Sequence, residues 1–132
     1  MIEFTKYEEE FLESLEEARI ATSHGDMPHV KPVSFIYCNG VIFIATDYHT
    51  RTFKNIKINP KTSITIDVYE PGKHKAVCIQ GKAEILENGQ EFLDTYKMFE
   101  KKFAWVRNEP WKENEAPFLK IITANKTSWG LK

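Results

Sequence analysis

Residues 30–46 read VKPVSFIYCNGVIFIAT, and this stretch decides the fold class. Two apolar runs, Val30 to Cys38 and Val41 to Thr46, flank the dipeptide Asn39-Gly40. Asn-Gly between apolar runs is a strong signal for a tight β-hairpin, because both residues tolerate a positive φ. The stretch therefore predicts two antiparallel strands joined by a two-residue turn.

Further short strands are predicted on both sides of this hairpin, separated by turn dipeptides such as Gly25-Asp26 and Pro71-Gly72. Apolar and polar residues alternate in most of them, which is the period of a half-buried strand. The predicted strands are Arg19 to Ser23, Ile64 to Val68, Val77 to Ile85 and Phe118 to Thr123, followed by a short tail from Thr127 to Leu131. Short strands at this regular spacing are typical of a barrel or sandwich, so we expect a mainly β fold with helices.

Three helices are expected among these strands. The first is N-terminal, with Thr5 and Glu8 forming a capping box and acidic residues on its solvent face. The second runs from Thr50 to Ile58, and the third, Asn88 to Phe103, carries an aromatic stripe that we interpret as core. The apolar face of the first helix consists of Tyr7, Phe11, Leu15 and Ala18, and the stripe of Phe92, Tyr96, Phe99 and Phe103.

Length and charge narrow the class of protein. The chain has 132 residues, which suggests a single domain over residues 1–132, and 18 basic against 19 acidic side chains give a net charge of -1. This balance gives no general argument for binding nucleic acid or a membrane, and no apolar run approaches the ~20 residues that span a bilayer. With no signal-peptide pattern and with two distant cysteines, Cys38 and Cys78, a cytoplasmic protein with free thiols is expected.

One segment favours an anion. Residues 48–66 contain no acid, yet they include Arg51, Lys54, Lys57 and Lys61. Arg51 and Lys54 share a face of the predicted second helix, and the helix start itself attracts negative charge. The pair suits a phosphate monoester, whereas no dinucleotide fingerprint, P-loop, nucleophile elbow or convincing metal-ligand set is present.

Several segments follow one another in the order and spacing of a known family. They are GDMPHVKPVSF (residues 25–35), Asn39-Gly40, Val41 to Thr46, RTFKNI (residues 51–56) and Asn59-Pro60, with QGKA (residues 80–83) and SWGL (residues 128–131) further on. The chain thereby resembles, over nearly its whole length, the FMN-binding split-barrel family related to pyridoxamine 5′-phosphate oxidase. The resemblance implies a split β-barrel.

The resemblance also implies a homodimer that binds FMN in a groove at the subunit interface. In that family the phosphate is held at the short helix and the flavin ring lies along one strand. The C-terminal tail lies close to the flavin groove of the partner subunit. The residues matching these positions are Arg51, Thr52, Lys54 and Asn55 for the phosphate, Pro32, Val33 and Ser34 for the ring, Thr46 for the ribityl chain, and Trp129 in the tail. Trp129 has a second interpretation, as a plug of the barrel bottom.

Two departures bear on function. Ala76 stands where the oxidase has a glutamine, and no arginine-rich segment follows Phe118. The chain therefore resembles a short form of the family, for which vitamin B6 oxidation is not expected. We expect an FMN-dependent oxidoreductase with a small-molecule substrate stacking near Trp129, Trp105 or Trp111 and with no identified catalytic side chain. The alternative is a non-catalytic protein that binds flavin, a deazaflavin coenzyme or haem; single-stranded nucleic acid is a weaker third hypothesis.

Overall fold

The computed structural model describes residues 2–132 and shows a closed six-stranded barrel with four helices in that range. Neighbouring strands are antiparallel, in the order β1-β2-β3-β6-β5-β4 around the barrel. The elements are α1 (Lys6–Glu13), β1 (Glu17–His24), β2 (Met27–Cys38), β3 (Val41–Ala45), α2 (Arg51–Ile58), β4 (Lys61–Val68), β5 (Lys75–Leu86), α3 (Gln90–Lys102), α4 (Ala104–Asn108) and β6 (Phe118–Trp129). The prediction of a mainly β fold with helices is confirmed.

The hairpin that decided the fold class is present. Cys38 pairs with Val41, and the turn residues Asn39 and Gly40 have φ values of 48° and 83°. These positive values explain the two residues, since other side chains adopt this region at a cost. β3 pairs with only the last four residues of β2, residues 35–38, while β1 pairs with residues 27–34. β2 therefore extends well beyond its hairpin partner.

The barrel interior is filled by apolar side chains that alternate along every strand, among them Ile20, Phe35 and Ile64. The two short helices cover the barrel ends. α1 contributes Leu12 and α2 contributes Ile56 to the same interior core. α1 contacts the end of β2, where Tyr37 Oη donates to Glu9 Oε2 at 2.7 Å, whereas α2 lies over the opposite end.

A second core lies outside the barrel, between its wall and the helices α3 and α4. Phe92 and Phe99 from α3 pack on Phe118 of β6 with ring centroids 5.2 and 4.8 Å apart. Val106 from α4 completes the cluster, and all four side chains are buried. The interpretation of the aromatic stripe as core is confirmed.

Two predictions about local structure are wrong. α1 ends at Glu13, so Ala18 faces the barrel interior from β1, and Tyr7 is 56% exposed instead of buried. The C-terminal segment is one strand that continues through Trp129, with an irregularity opposite Gln80/Gly81, and not a strand followed by a separate tail. Pairing with the long β5 overrides the polar residues that seemed to end it.

No helix among residues 2–132 combines the length and the apolar composition that crossing a membrane requires.

Candidate functional site

A cleft of about 430 Å³ opens beside the barrel where β2, β3 and α2 meet the segment after α4. Its volume lies within the range of small-molecule and cofactor sites. Its lining comprises Lys31, Pro32, Val33, Ser34, Ala45, Thr46, Asp47, Thr50, Trp105, Glu109, Trp111, Glu115 and Ala116. The cleft brings together four of the residues that the sequence assigned to a flavin, namely Pro32, Val33, Ser34 and Thr46.

The β2 wall of the cleft presents an unpaired strand edge. Within residues 2–132, β3 has no register partner in residues 27–34 of β2, because its pairing begins at Phe35. Phe35 donates its N–H to the Glu16 carbonyl at 3.1 Å, on the β1 side. Since backbone groups of successive strand residues point to opposite sides, those of Ser34 and the carbonyl of Pro32 point to the cleft side. Pro32 has no N–H, so at this position the strand edge offers only a carbonyl acceptor.

The start of α2 forms the next part of the lining. Thr50 is the N-cap, its side chain accepts the N–H of Phe53 at 3.1 Å, and its hydroxyl lies 3.1 Å from that of Thr46. The amides of Arg51 and Thr52, in the first turn, have no acceptor within the helix. The first turn itself contains no acidic residue, so its free amides and the helix dipole favour an anion there.

Two tryptophans form the facing wall. The Trp105 and Trp111 rings are stacked almost parallel, with centroids 5.9 Å apart and an interplanar angle of 7°. Trp111 is fixed because its Nε1 donates to the Ala116 carbonyl at 3.1 Å and its backbone N–H donates to Tyr96 Oη at 3.2 Å. Both tryptophans had been candidates for stacking a substrate, and they lie in the same cleft as the residues expected to hold a flavin ring.

Comparison with known proteins identifies the family of this chain. Residues 4–124 match the family described as Pyridoxamine 5′-phosphate oxidase, which is nearly the whole chain. The chain belongs to the pyridoxamine 5′-phosphate oxidase family. No curated protein matches it in sequence.

Solved structures show that this family's barrel is shared widely. A conserved hypothetical protein from Mycobacterium tuberculosis has a TM-score of 0.79 at 19% identity, covering 98% of this chain and 86% of that one. An FAD-binding protein from Mesorhizobium loti has 0.72 at 18%, covering 90% and 87%. The FAD binding protein from Mycobacterium smegmatis has 0.67 at 16%, covering 96% and 94%. At these identities the likeness concerns the fold, and the expected split-barrel class is confirmed.

The four residues expected at the phosphate fall into a buried pair and an exposed pair. Thr52 and Asn55 are buried, at 0% and 2% exposed. Asn55 Nδ2 donates to Thr22 Oγ1 of β1 at 3.0 Å, which fixes α2 over the barrel end. The Thr52 hydroxyl is buried without a hydrogen-bond partner. An acceptor at the first turn would supply the partner that this orphaned hydroxyl lacks, so the residues present fit an anion there.

Arg51 and Lys54 are exposed on the opposite face of α2 and do not belong to the cleft lining. Arg51 directly follows the lining residue Thr50, so its side chain starts at the cleft margin. The structure therefore brings the basic pair beside the cleft and not into it. Thr50, predicted as the first residue of this helix, is its N-cap.

Trp129 lies far from the cleft of its own chain, because β6 starts near the cleft and Trp129 is its last residue. The side chain is 42% exposed, and its Nε1 donates to His74 Nδ1 at 3.3 Å. Its ring packs edge-on against His74 with centroids 5.3 Å apart. The interpretation of Trp129 as a plug of the barrel is wrong, because a plug would be enclosed by the core.

Sequence reasoning missed four charged residues of the cleft: Lys31, Asp47, Glu109 and Glu115. Glu109 and Glu115 flank Trp111 in a segment without helical or strand periodicity, so no pattern indicated where their side chains lie. Lys31 precedes the proline of the free strand edge, which was the one available signal.

The remaining observations concern a tyrosine beside α2 and the possible metal ligands. Burial and the nearby Glu87 raise the pKa of Tyr48, which packs edge-on against Phe53, to about 12, so this phenol stays protonated at neutral pH. Among residues 2–132 there is no group of three histidine, cysteine, aspartate or glutamate side chains that could hold a metal ion. The two cysteines are free, as expected.

Proposed function

We propose that this chain is an FMN-binding oxidoreductase that acts on a small molecule and that forms its flavin site in a homodimer. One observation carries the proposal: a free strand edge and a helix start whose first turn holds no acid line the same cleft. A flavin has a polar ring edge and a terminal phosphate, which require those two kinds of partner. When bound, the flavin supplies the redox chemistry, and the protein supplies binding and orientation.

The polar edge of the ring would meet the backbone of Ser34 and the carbonyl of Pro32, with Val33 between them in the lining. The ribityl chain would pass Thr46, and the phosphate would lie at the first turn of α2. There the amides of Arg51 and Thr52 and the Arg51 side chain would bind it, with Lys54 one turn further along the exposed face. Asn55 supports this site indirectly, since it holds α2 on β1 through Thr22.

Three considerations favour FMN among the candidate cofactors. Two structural neighbours are named as FAD-binding proteins, which supports a flavin. The helix start provides one anion site, which suits the single phosphate of FMN. Haem requires an axial ligand, and the described lining contains no histidine, cysteine or methionine. A deazaflavin coenzyme differs from FMN in its absorption spectrum, so the spectrum of the purified protein distinguishes the two.

Exposed apolar side chains support a homodimer. Met27 and Val30 on β2 are 70% and 65% exposed, and Ile58 at the end of α2 is 65% exposed. Exposed side chains of this size on adjoining elements are typical of a protein interface. In the proposed dimer Trp129 of one subunit approaches the groove of the other, which would account for its exposure within a single chain.

The phosphate assignment is tested by FMN titration of single-residue variants. Arg51→Ala and Lys54→Ala should each weaken FMN binding by about tenfold or more, because one hydrogen bond to a charged group contributes about 1.5–3 kcal/mol. Lys57→Ala is the matched control, since Lys57 is exposed on the same helix but lies in its last turn. Equal FMN affinity in all three variants and the parent protein would refute the assignment.

Two further measurements test the remaining parts of the proposal. Light scattering on dilute, flavin-loaded protein should give twice the monomer mass of 15.4 kDa. A monomer that still holds flavin would refute the shared groove. Turnover with reduced nicotinamide and an electron acceptor should be detectable in an oxidoreductase, whereas a flavin carrier would show a flavin spectrum and no turnover.

A further inference from the structure

The wall of the cleft that faces β2 carries aromatic and acidic side chains to which the proposed flavin site assigns no role. The tryptophan pair lies in α4 and the segment after it, and the same segment contributes Glu109 and Glu115 to the lining. The proposed flavin positions are on β2, directly after β3 and at the start of α2. The cleft therefore has one wall of backbone and helix start and another of indole and carboxylate.

The indole wall is rigid and partly uncovered. Trp111 is held by two hydrogen bonds and packs edge-on against Tyr96 with centroids 4.9 Å apart. Trp105 lies on Trp111 and on Phe103, and it is still 43% exposed. A large aromatic side chain supported from behind and open in front is a ready surface for stacking a planar ring. It offers the negative face of an indole, which attracts cations.

The carboxylates beside this surface are not neutralised. Within residues 2–132, neither Glu109 nor Glu115 nor Asp47, the third acid of the lining, takes part in an ion pair. Glu115 accepts the Lys112 N–H at 2.6 Å through Oε1, which orients its carboxylate. Lys31, on the β2 wall, is the one basic residue of the lining. The excess negative charge on the indole wall favours a positively charged ligand.

We propose that the small molecule that binds beside the flavin is a planar, cationic nitrogen heteroaromatic, stacked on Trp105 and neutralised by Glu109 and Glu115. This inference rests on the proposed function, because it assigns the flavin to the other wall. Indole faces attract cationic rings, and carboxylates select them over neutral and anionic rings of the same shape. Ligands that carry a phosphate beside the ring are disfavoured on this wall.

The test uses three rings of one shape and different charge: 1-methylnicotinamide (cation), nicotinamide (neutral) and nicotinate (anion). Binding of each is measured by titration calorimetry to the flavin-free and the flavin-loaded protein. The cation should bind about tenfold more tightly than nicotinamide, and nicotinate should bind most weakly. Equal affinity for the cation and the neutral ring, or no measurable binding of the cation to either form, would overturn the inference.

Variants locate the selectivity. The double variant Glu109→Gln/Glu115→Gln should remove most of the preference for the cation while nicotinamide binding stays unchanged. Glu100→Gln is the control, because Glu100 is an exposed glutamate on α3 outside the lining. Trp105→Leu should weaken binding of the cation and of nicotinamide together. Retention of full cation preference in the double glutamine variant would overturn the assignment of the carboxylates.

The same samples separate this inference from the proposed function. FMN titration of the protein reports on the flavin wall alone. FMN binding without selectivity for the cation would overturn the ligand class and leave the flavin assignment standing. Selective binding of the cation to a protein that does not bind FMN would refute the proposed function and support the recognition of cationic rings by the indole wall.

Discussion

The helices α1 and α2 cover the two ends of the barrel, and they begin in the same way. Each has eight residues and a threonine N-cap in extended conformation, Thr5 with φ −72° and ψ 161°, and Thr50 with φ −74° and ψ 153°. In both, the cap side chain accepts the N–H of the third helical residue. The difference between them lies in what else meets the first turn.

At α1 the chain supplies its own anion. Glu8 completes a capping box with Thr5, accepts Lys126 Nζ at 2.7 Å and Ser128 Oγ at 2.6 Å, and is only 3% exposed. The sequence predicted the capping box correctly, but it indicated only a solvated face for the acidic run and not the bonds from Lys126 and Ser128. At α2 the first turn has no acid, and the Thr52 hydroxyl is buried without a partner. The contrast teaches that a satisfied helix start is structural, whereas an unsatisfied one is a candidate binding site.

The largest change in stability is expected at α1, where the anion is the buried carboxylate of Glu8. Glu8→Gln removes the charge that pairs with Lys126, whose side chain is only 19% exposed. Loss of one partner leaves a largely buried charge uncompensated, so the free energy of unfolding should fall by about 3 kcal/mol. Chemical denaturation measures the change. FMN affinity, measured without denaturant, should stay unchanged because α2 lies at the other end of the barrel.

Glu10→Gln is the control for this prediction. Glu10 lies on the exposed side of α1, 3.9 Å from Lys6, and an exposed pair contributes at most about 1 kcal/mol. Equal destabilisation by Glu8→Gln and Glu10→Gln would show that the buried carboxylate is not the fixing point of α1.

Acid should remove the same contribution more gradually. Burial alone would raise the pKa of Glu8, but the hydrogen bonds from Lys126, Ser128 and the Thr5 backbone outweigh it and lower the pKa below the ordinary value of 4.5. The folded state thus favours the carboxylate, so its contribution is fully present above pH 4.5 and is lost as the pH falls through the lowered value. The difference in unfolding free energy between the parent protein and Glu8→Gln should shrink below pH 4.5. A difference that is constant down to pH 3 would contradict this assignment.

The smallest change in stability is expected at the start of α2, and there the substitution should stabilise the protein instead of destabilising it. Thr52→Val replaces a buried, unpartnered hydroxyl by a methyl group of similar shape, so flavin-free protein should gain about 1 kcal/mol of stability. FMN affinity should fall at the same time if the hydroxyl bonds the phosphate. Thr95→Val is the matched control, because Thr95 is equally buried but donates to the Glu91 carbonyl at 2.7 Å, and its loss should destabilise the protein. Destabilisation by both valine variants would show that Thr52 is already satisfied.

Much of the fold could be predicted because its signals are local. Asn39-Gly40 fixes a hairpin, the capping box fixes the start of α1, and alternating residues mark β5. The end of α1 and the full length of β6 could not be predicted. Both depend on partners distant in sequence: β1 takes Ala18 into the barrel, and β5 pairs with β6 as far as Trp129.

The candidate site divides in the same way. The basic segment around α2 was visible because charge is a property of the sequence itself. The burial of Thr52 and Asn55 was not visible, because both are polar and look like surface residues until Thr22 is found to bind Asn55. The indole wall depends on α4 and an irregular segment, whose arrangement follows from packing on Phe118 and has no repeating pattern.

The hydrogen bond from Ser128 to Glu8 joins residues 120 positions apart. It therefore has a consequence for the order in which the chain can fold during synthesis. α1 leaves the ribosome about 120 residues before the groups that satisfy its carboxylate. Until residues 126–128 emerge, the barrel lacks the second half of β6 and α1 lacks its anchor. A nascent chain that stops at Ala124 should therefore remain sensitive to protease, and a chain extended beyond residue 129 should become resistant in one step.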